Sequence, residues 1–188
     1  MNVKTALVIL ADGFEEIEAL GTADVLRRLK IRVLLTGLHS LSVTGSHHIK
    51  VTADATFDFV PFASSSAIIL PGGLPGTTNL LESEELAERI RYFYSSGKVV
   101  AAICAAGTVL KHAGIAENKR LAGYPGSEDL ANAPGFQFTG AMVERDGNII
   151  TGKAPGATFL FAAEIGRALG CSEDQIRDTL NGMFVPSV

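Results

Sequence analysis

Two groups of residues in this chain have the types and spacing for chemistry: a thiol closing one apolar run and carboxyls closing another. The thiol is Cys104, in Val99-Val100-Ala101-Ala102-Ile103-Cys104-Ala105-Ala106-Gly107. The apolar run reads as a buried strand, and small residues with a helical pattern follow at once. This is the layout of a nucleophile elbow, a sharp strand-to-helix turn that lifts a nucleophile out of a sheet. Ala102 and Ala106 keep that turn free of bulk. The first N–H groups of the following helix would face the sulfur and lower its pKa from the free value of about 8.5. A buried cysteine with a purely structural role fits the same segment.

The carboxyls lie in Asp12-Gly13-Phe14-Glu15-Glu16-Ile17-Glu18. Glu15 and Glu18 are three residues apart and share a helix face, with Glu16 pointing elsewhere. Glu18, one turn into the helix, best suits a pocket. Ionised, it is a base; protonated, it donates a hydrogen bond to a thiolate or to an oxidised thiol. Acids in a first helical turn also simply complement the dipole and face water. A third unusual stretch is Leu70-Pro71-Gly72-Gly73, where side chains vanish at a strand end. It reads either as a tight turn or as half of an oxyanion hole, with Gly73 N–H and Ala105 N–H as donors. Pro155-Gly156 would present a helix N-terminus to the same pocket.

The elements around these residues must bring them together. Residues 5–11, 31–35, 67–70 and 98–103 read as strands. Helical patterns cover 15–29, the stretch after Ser83, the stretch after Cys104, and 157–169. Hairpins are expected across 41–52, turning at Gly45-Ser46, and at Asp146-Gly147. Ser172 with Gln175 forms a capping box for a last helix. Alternating short apolar strands and helices predict an α/β fold with a doubly wound, mostly parallel sheet. Ligands of such sheets bind beyond the carboxyl ends of the strands, where all three unusual stretches lie.

Composition narrows the function. The 188 residues suit one domain, 1–188, and 47% hydrophobic content with mean hydropathy +0.27 favours a folded chain. A net charge of −4 without basic clusters gives no support to nucleic-acid or anionic-membrane partners. No segment reads as a signal peptide or a membrane span, so a cytoplasmic protein is expected. Cys104 and Cys171 have no metal-ligand spacing around them, and the four histidines form no metal-binding helical pair, so no metal is expected.

Together, Ala6 to Glu18, Leu70-Pro71-Gly72-Gly73, Ala101 to Ala106 and Ala154-Pro155-Gly156-Ala157-Thr158 resemble the ThiJ/PfpI superfamily, nearest its Parkinsonism-associated branch. The resemblance spans nearly the whole chain. It implies a flavodoxin-like sandwich, a homodimer, and a reactive, oxidation-sensitive Cys104 with Glu18 as its carboxyl partner and Gly73 as an oxyanion donor. The activities it implies are cofactor-free glyoxalase (a hydro-lyase), protein deglycase (a hydrolase), redox sensing and chaperoning. Relatives carry a histidine shortly after the elbow helix, where this chain has Tyr124. A Cys–His dyad and a protease mechanism are therefore not expected, although Tyr124 could still line the pocket. Relatives also carry an arginine near the subunit boundary where this chain has His47.

The first helix supports a dimer by its own pattern. Ile17, Leu20, Gly21, Asp24 and Arg28 form one face; Ala19, Thr22, Ala23 and Leu26 form another. Two largely apolar faces call for two partners, a sheet and a second chain, although Asp24 and Arg28 also suit a surface ion pair. The leading expectation is a glyoxalase or deglycase acting on small reactive aldehydes or glycated groups through Cys104 and Glu18, without cofactors. The alternative is a protective redox sensor that works by oxidation of the same cysteine.

Overall fold

In the computed structural model the first apolar run is buried along both faces, as a strand in the middle of a parallel sheet requires. The structure describes residues 4–131 and 137–186; the remainder of the expected 1–188 domain lies outside the described residues. In chain order, β1 (Thr5–Leu10) leads through a π-helical turn at Ile17–Gly21 into α1 (Thr22–Arg28). Next come β2 (Arg32–Gly37), the hairpin of β3 (Ser42–Thr44) and β4 (Lys50–Thr52), β5 (Ala55–Thr56) and β6 (Ala67–Leu70). Then follow α2 (Gly76–Leu81), α3 (Glu84–Ser95), β7 (Val99–Ile103) and α4 (Gly107–His112). The chain ends with β8 (Val143–Asp146), β9 (Ile149–Gly152), α5 (Thr158–Ala168) and α6 (Glu173–Gly182).

The main sheet has the order β5-β2-β1-β6-β7-β9-β8. Its pairs are parallel except β8 against β9, which the Asp146-Gly147 turn reverses. Side chains alternate between two layers. Ala6, Val8 and Leu10 pack with α1, α5 and Ile176 of α6 on one face; Leu7 and Ile9 pack with α3 and α4 on the other. The expected sandwich of helices on both faces of a mostly parallel sheet is therefore present. The register pairs Val8 with Ile69 and Leu70 with Ala102, so the carboxyl ends of β1, β6 and β7 lie side by side. That adjacency brings Glu18, Gly73 and Cys104 together.

Local signals hold at several ends. Ser83 Oγ accepts the Leu86 N–H at 3.2 Å, and Ser172 with Gln175 closes a reciprocal capping box. The single helix expected over 15–29 is instead a wide turn followed by α1. Glu15 Oε2 accepts the Glu18 N–H at 2.7 Å, so the Glu15 side chain takes the place of a regular first turn. Such wide turns concentrate at functional sites. Helix α2, Gly76–Leu81, is an element that the sequence reading does not include.

Phe161 of α5 is fully buried in the layer with β1 and β7, whereas Phe59 is 82% exposed. Phe161→Ala should cost about 3–5 kcal/mol and Phe59→Ala under about 0.5 kcal/mol, read as urea midpoints at constant slope. Equal losses would contradict the layer assignment.

Candidate functional site

Cys104 stands at the tip of an elbow. Ile103 is extended, Cys104 has φ +62°, and a 3-10 turn over Cys104–Ala106 feeds α4. A left-handed conformation in a non-glycine residue costs on the order of 1–3 kcal/mol and is kept only where the surroundings impose it. Here β7 fixes one side and the helical start fixes the other. The N–H groups of Ala105 and Gly73 both face the sulfur. The missing side chains before α2 now have a reason. A Cβ on Gly72 would lie 2.7 Å from Cys104 Cβ, and one on Gly73, at φ +91°, would lie 2.5 Å from the Glu15 nitrogen.

Glu18 is 1% exposed, and its Oε2 accepts the Gly72 N–H at 2.8 Å. Burial raises its pKa to about 7; the Gly72 N–H and the Cys104 thiol oppose that rise, and the charge of Glu15 adds to it. Its other oxygen, Oε1, is buried without a hydrogen bond of ordinary geometry. The expected lowering of the Cys104 pKa is not what the surroundings produce. Burial and then the charge of Glu18 push the thiol up to about 12, against the pull of the Ala105 and Gly73 N–H groups. Helix α4 has only six residues, so its dipole is small beside these effects. The two groups act as a pair that gains one negative charge as pH rises through about 7 and holds it above that. When Glu18 holds the proton, it no longer repels the sulfur and becomes a donor to it. The thiolate is reached by proton exchange inside the pair, not by loss of a second proton to water.

A cavity of about 410 Å³ opens on the thiol. Glu15, Gly73, Cys104, Ala105, Tyr124 and Pro155 line it as expected, and Leu74, Pro125 and Leu130 add apolar wall. Gly72 lies behind the thiol, outside the lining. Gly156 is exposed and also lies outside the lining; Pro155 takes that position, and Ala157 turns inward. Tyr124 is half-exposed at the rim. On α1 and the turn before it, Ala19, Thr22, Ala23 and Leu26 are buried against the sheet layer, while Ile17 is 57% exposed. Asp24 accepts a hydrogen bond from Arg28 Nε at 2.9 Å, the surface pair weighed as the alternative reading. Cys171 has no carboxyl partner, and burial pushes its thiol up.

Sequence reasoning pointed Glu16 away from Glu15 and Glu18, and it does lie outside the cavity lining, but it is buried against the β3–β4 hairpin instead of facing water. Glu16 is buried, and its Oε1 accepts the His47 backbone N–H at 2.8 Å. Its Oε2 lies 2.8 Å from His47 Nδ1. Burial pushes Glu16 up, but the hydrogen bonds from the His47 ring and backbone outweigh it, so its pKa is lowered; Glu16 in turn raises that of His47. No local spacing could reveal this contact, because the β3–β4 hairpin delivers His47 from 31 residues away.

The raised value of Glu18 has a consequence for stability. Its folded-state pKa, about 7, lies above the ordinary 4.5. The stabilisation from its protonated form is complete below 4.5 and is lost as pH rises through about 7, amounting to about 3 kcal/mol at most. Glu18→Gln stays neutral throughout. Its urea midpoint relative to the parent should rise from pH 5 to about pH 7 and level off above that. A pH-independent difference would mean that the carboxyl ionises normally.

Comparison with known proteins agrees with this geometry. The model of the DJ-1/PfpI family matches residues 4–168. The protein dj-1beta of Drosophila melanogaster is 36% identical over 184 residues, 97% of each chain. Its crystal structure superposes with a TM-score of 0.92 at 34% identity, covering 99% of this chain and 100% of that one. A protein from Pyrococcus abyssi named as a deglycase is 32% identical, over 87% of this chain and 98% of its own. A structure of oxidised Toxoplasma gondii DJ-1 gives a TM-score of 0.90 at 26% identity, over 98% of this chain and 100% of that one. Among the described residues no helix is long and apolar enough to cross a membrane. The strained thiol, its buried carboxyl partner and the glycine strand end thus stand on a shared fold, and the chain belongs to the DJ-1/PfpI family.

Proposed function

We propose that this protein is a cofactor-independent glyoxalase or deglycase acting on methylglyoxal, glyoxal or early glycation adducts. The observation that carries the reading is the pairing of Cys104 with a buried Glu18 whose proton is available near neutral pH. In the pair, Glu18 takes the thiol proton and the sulfur adds to the aldehyde carbon. The new C–S bond makes a hemithioacetal, and its oxygen develops charge against the Gly73 and Ala105 N–H groups. Glu18 returns the thiol proton to that oxygen and, ionised again, takes the proton of the former aldehyde carbon and delivers it to the neighbouring carbon, while the hydroxyl proton passes to the neighbouring oxygen, leaving a thioester of a 2-hydroxy acid. Water cleaves the C–S bond and the thiol is restored; methylglyoxal and one water become lactate. For a glycated group the same addition precedes release of the amine. The apolar cavity suits small uncharged carbonyls, and the deglycase-named relative supports this class. The working form in this proposal is a homodimer joined through the face of Ile17, Asp24 and Arg28 and the loop of His47.

One observation favours a second reading, a redox sensor. Glu18 Oε1 is buried without a partner beside the thiol, where it could bond an oxygen added to the sulfur. A related structure is described as oxidised.

Purified protein should form lactate from methylglyoxal in buffer free of thiols and metals. Cys104→Ala should abolish turnover, and Glu18→Gln should reduce it about 10²–10⁴-fold with the fold intact. Tyr124→Phe should cost much less, because its hydroxyl would only orient substrate. Near-normal turnover in Glu18→Gln rejects the proton shuttle. An inert parent whose Cys104 is readily converted to sulfinate by mild peroxide selects the sensor.

A further inference from the structure

A second cluster lies at the rim of the cavity, where Glu15 and His47 line it and Glu16 lies behind them. Glu15, Glu16 and His47 place their ligand atoms within 4.8 Å of one another. The two carboxyls are 7% and 4% exposed, whereas the His47 side chain is 70% exposed and reaches over them from solvent. Each carboxyl uses one oxygen for the backbone and leaves the other facing the cluster. Glu15 Oε2 accepts the Glu18 N–H; Glu16 Oε1 accepts those of His47 and Ile49. Glu15 Oε1 has no hydrogen bond among the described residues, and its nearest charged neighbour is His47 Nδ1 at 4.0 Å. Glu16 Oε2 lies 2.8 Å from the same nitrogen. Ser46 Oγ is 3.3 Å from Glu16 Oε2 and 3.2 Å from His47 Nδ1. Among the described residues, His47 is the only cation that pairs with either carboxyl.

We propose that Glu15, Glu16 and His47 form a binding site for a borderline divalent transition-metal cation of the zinc type at the rim of the cavity. Ligand atoms 2.8 Å apart subtend about 85°, and those 4.0 Å apart about 145°, at an ion about 2.1 Å from each. Small side-chain rotations therefore admit the ion. The donors are already oriented, because backbone N–H groups hold the far oxygen of each carboxyl. Two carboxylates offset the charge of the ion, and the imidazole selects against calcium and magnesium, which favour all-oxygen shells. Ser46 Oγ or water completes the shell, and the remaining position opens on the cavity shared with Cys104. The site lies outside the Cys104–Glu18 chemistry and does not depend on it.

The test uses chelator-treated full-length protein titrated with Zn²⁺ by calorimetry and with Co²⁺ by absorption. One ion should bind per chain, with weak ligand-field bands and no sulfur-to-cobalt charge transfer. His47→Ala removes a side chain that is mostly exposed in the single chain but lies on the loop assigned to the proposed dimer, so its thermal melt and its mass by light scattering are read beside its affinity and should both match the parent. Its affinity should fall at least as far as when a residue that merely orients a ligand is lost, roughly 10–100-fold. Glu15→Gln, which keeps an acceptor for the Glu18 N–H, should weaken binding likewise. Cys104→Ser should bind as the parent does. The proposal fails if the parent binds no ion, if His47→Ala binds equally well, or if Cys104→Ser abolishes binding or charge transfer appears. The last two outcomes would place the ion on the thiol.

Discussion

The hydrogen bond from Gly72 N–H to Glu18 Oε2 is the contact on which the site depends. It ties the turn after β1 to the end of β6 and holds a carboxyl where water is excluded. A carboxylate in such a place is costly unless hydrogen-bonded, so its proton affinity rises until it can give and take a proton near neutrality. Three sequence features serve this contact. The wide turn at Ile17–Gly21 aims Glu18 inward. Gly72 and Gly73 let two backbones and a thiol approach to distances no Cβ would allow. Glu15 caps the turn through the Glu18 N–H.

Parallel strand order supplies the rest. With β6 between β1 and β7, the carboxyl, the oxyanion donors and the thiol must converge at one edge. The elbow then sets the surroundings of the thiol. Its left-handed Cys104 presents the sulfur to two N–H groups and to the carboxyl at once. Reactivity here does not come from a helix that lowers the thiol pKa on its own. A short helix in an apolar setting is outweighed by burial, and only a proton exchanged with Glu18 makes the thiolate accessible.

What could be read from the sequence follows the range of the interaction. Strand runs, the Ser83 and Ser172 caps and the Asp146-Gly147 hairpin are set within a few residues, and all are present. Cys104 and Gly73 were legible because they follow strand ends of unusual local composition, and Glu18 because it closes the acidic run beyond β1. The position of Glu16 was not legible. Helical spacing says only that it points away from Glu15 and Glu18, and its partners arrive on a hairpin about thirty residues on. Gly156 was misplaced because a Pro-Gly pair marks a helix start without saying which of its residues faces the cavity. The direction of the Cys104 pKa was missed because the sequence shows the helix but not the depth of burial.

The acids around the thiol also bear on what the cavity admits. Glu15, Glu16 and Glu18 lie within four residues of one another, all are buried, and His47 is the cation that pairs with the first two. The field on the thiol side of the cavity is therefore negative, while Leu74, Pro125, Leu130 and Pro155 make its walls apolar. An anionic substrate would lose its water against those walls and meet like charge beneath them, costs that add. A small neutral carbonyl meets neither cost. In the reaction proposed above, its oxygen would gain charge only as the sulfur adds and would then lie against the Gly73 and Ala105 N–H groups, which would concentrate stabilisation in the transition state. On that proposal, selection against anions and acceleration of addition would be two results of one charge distribution.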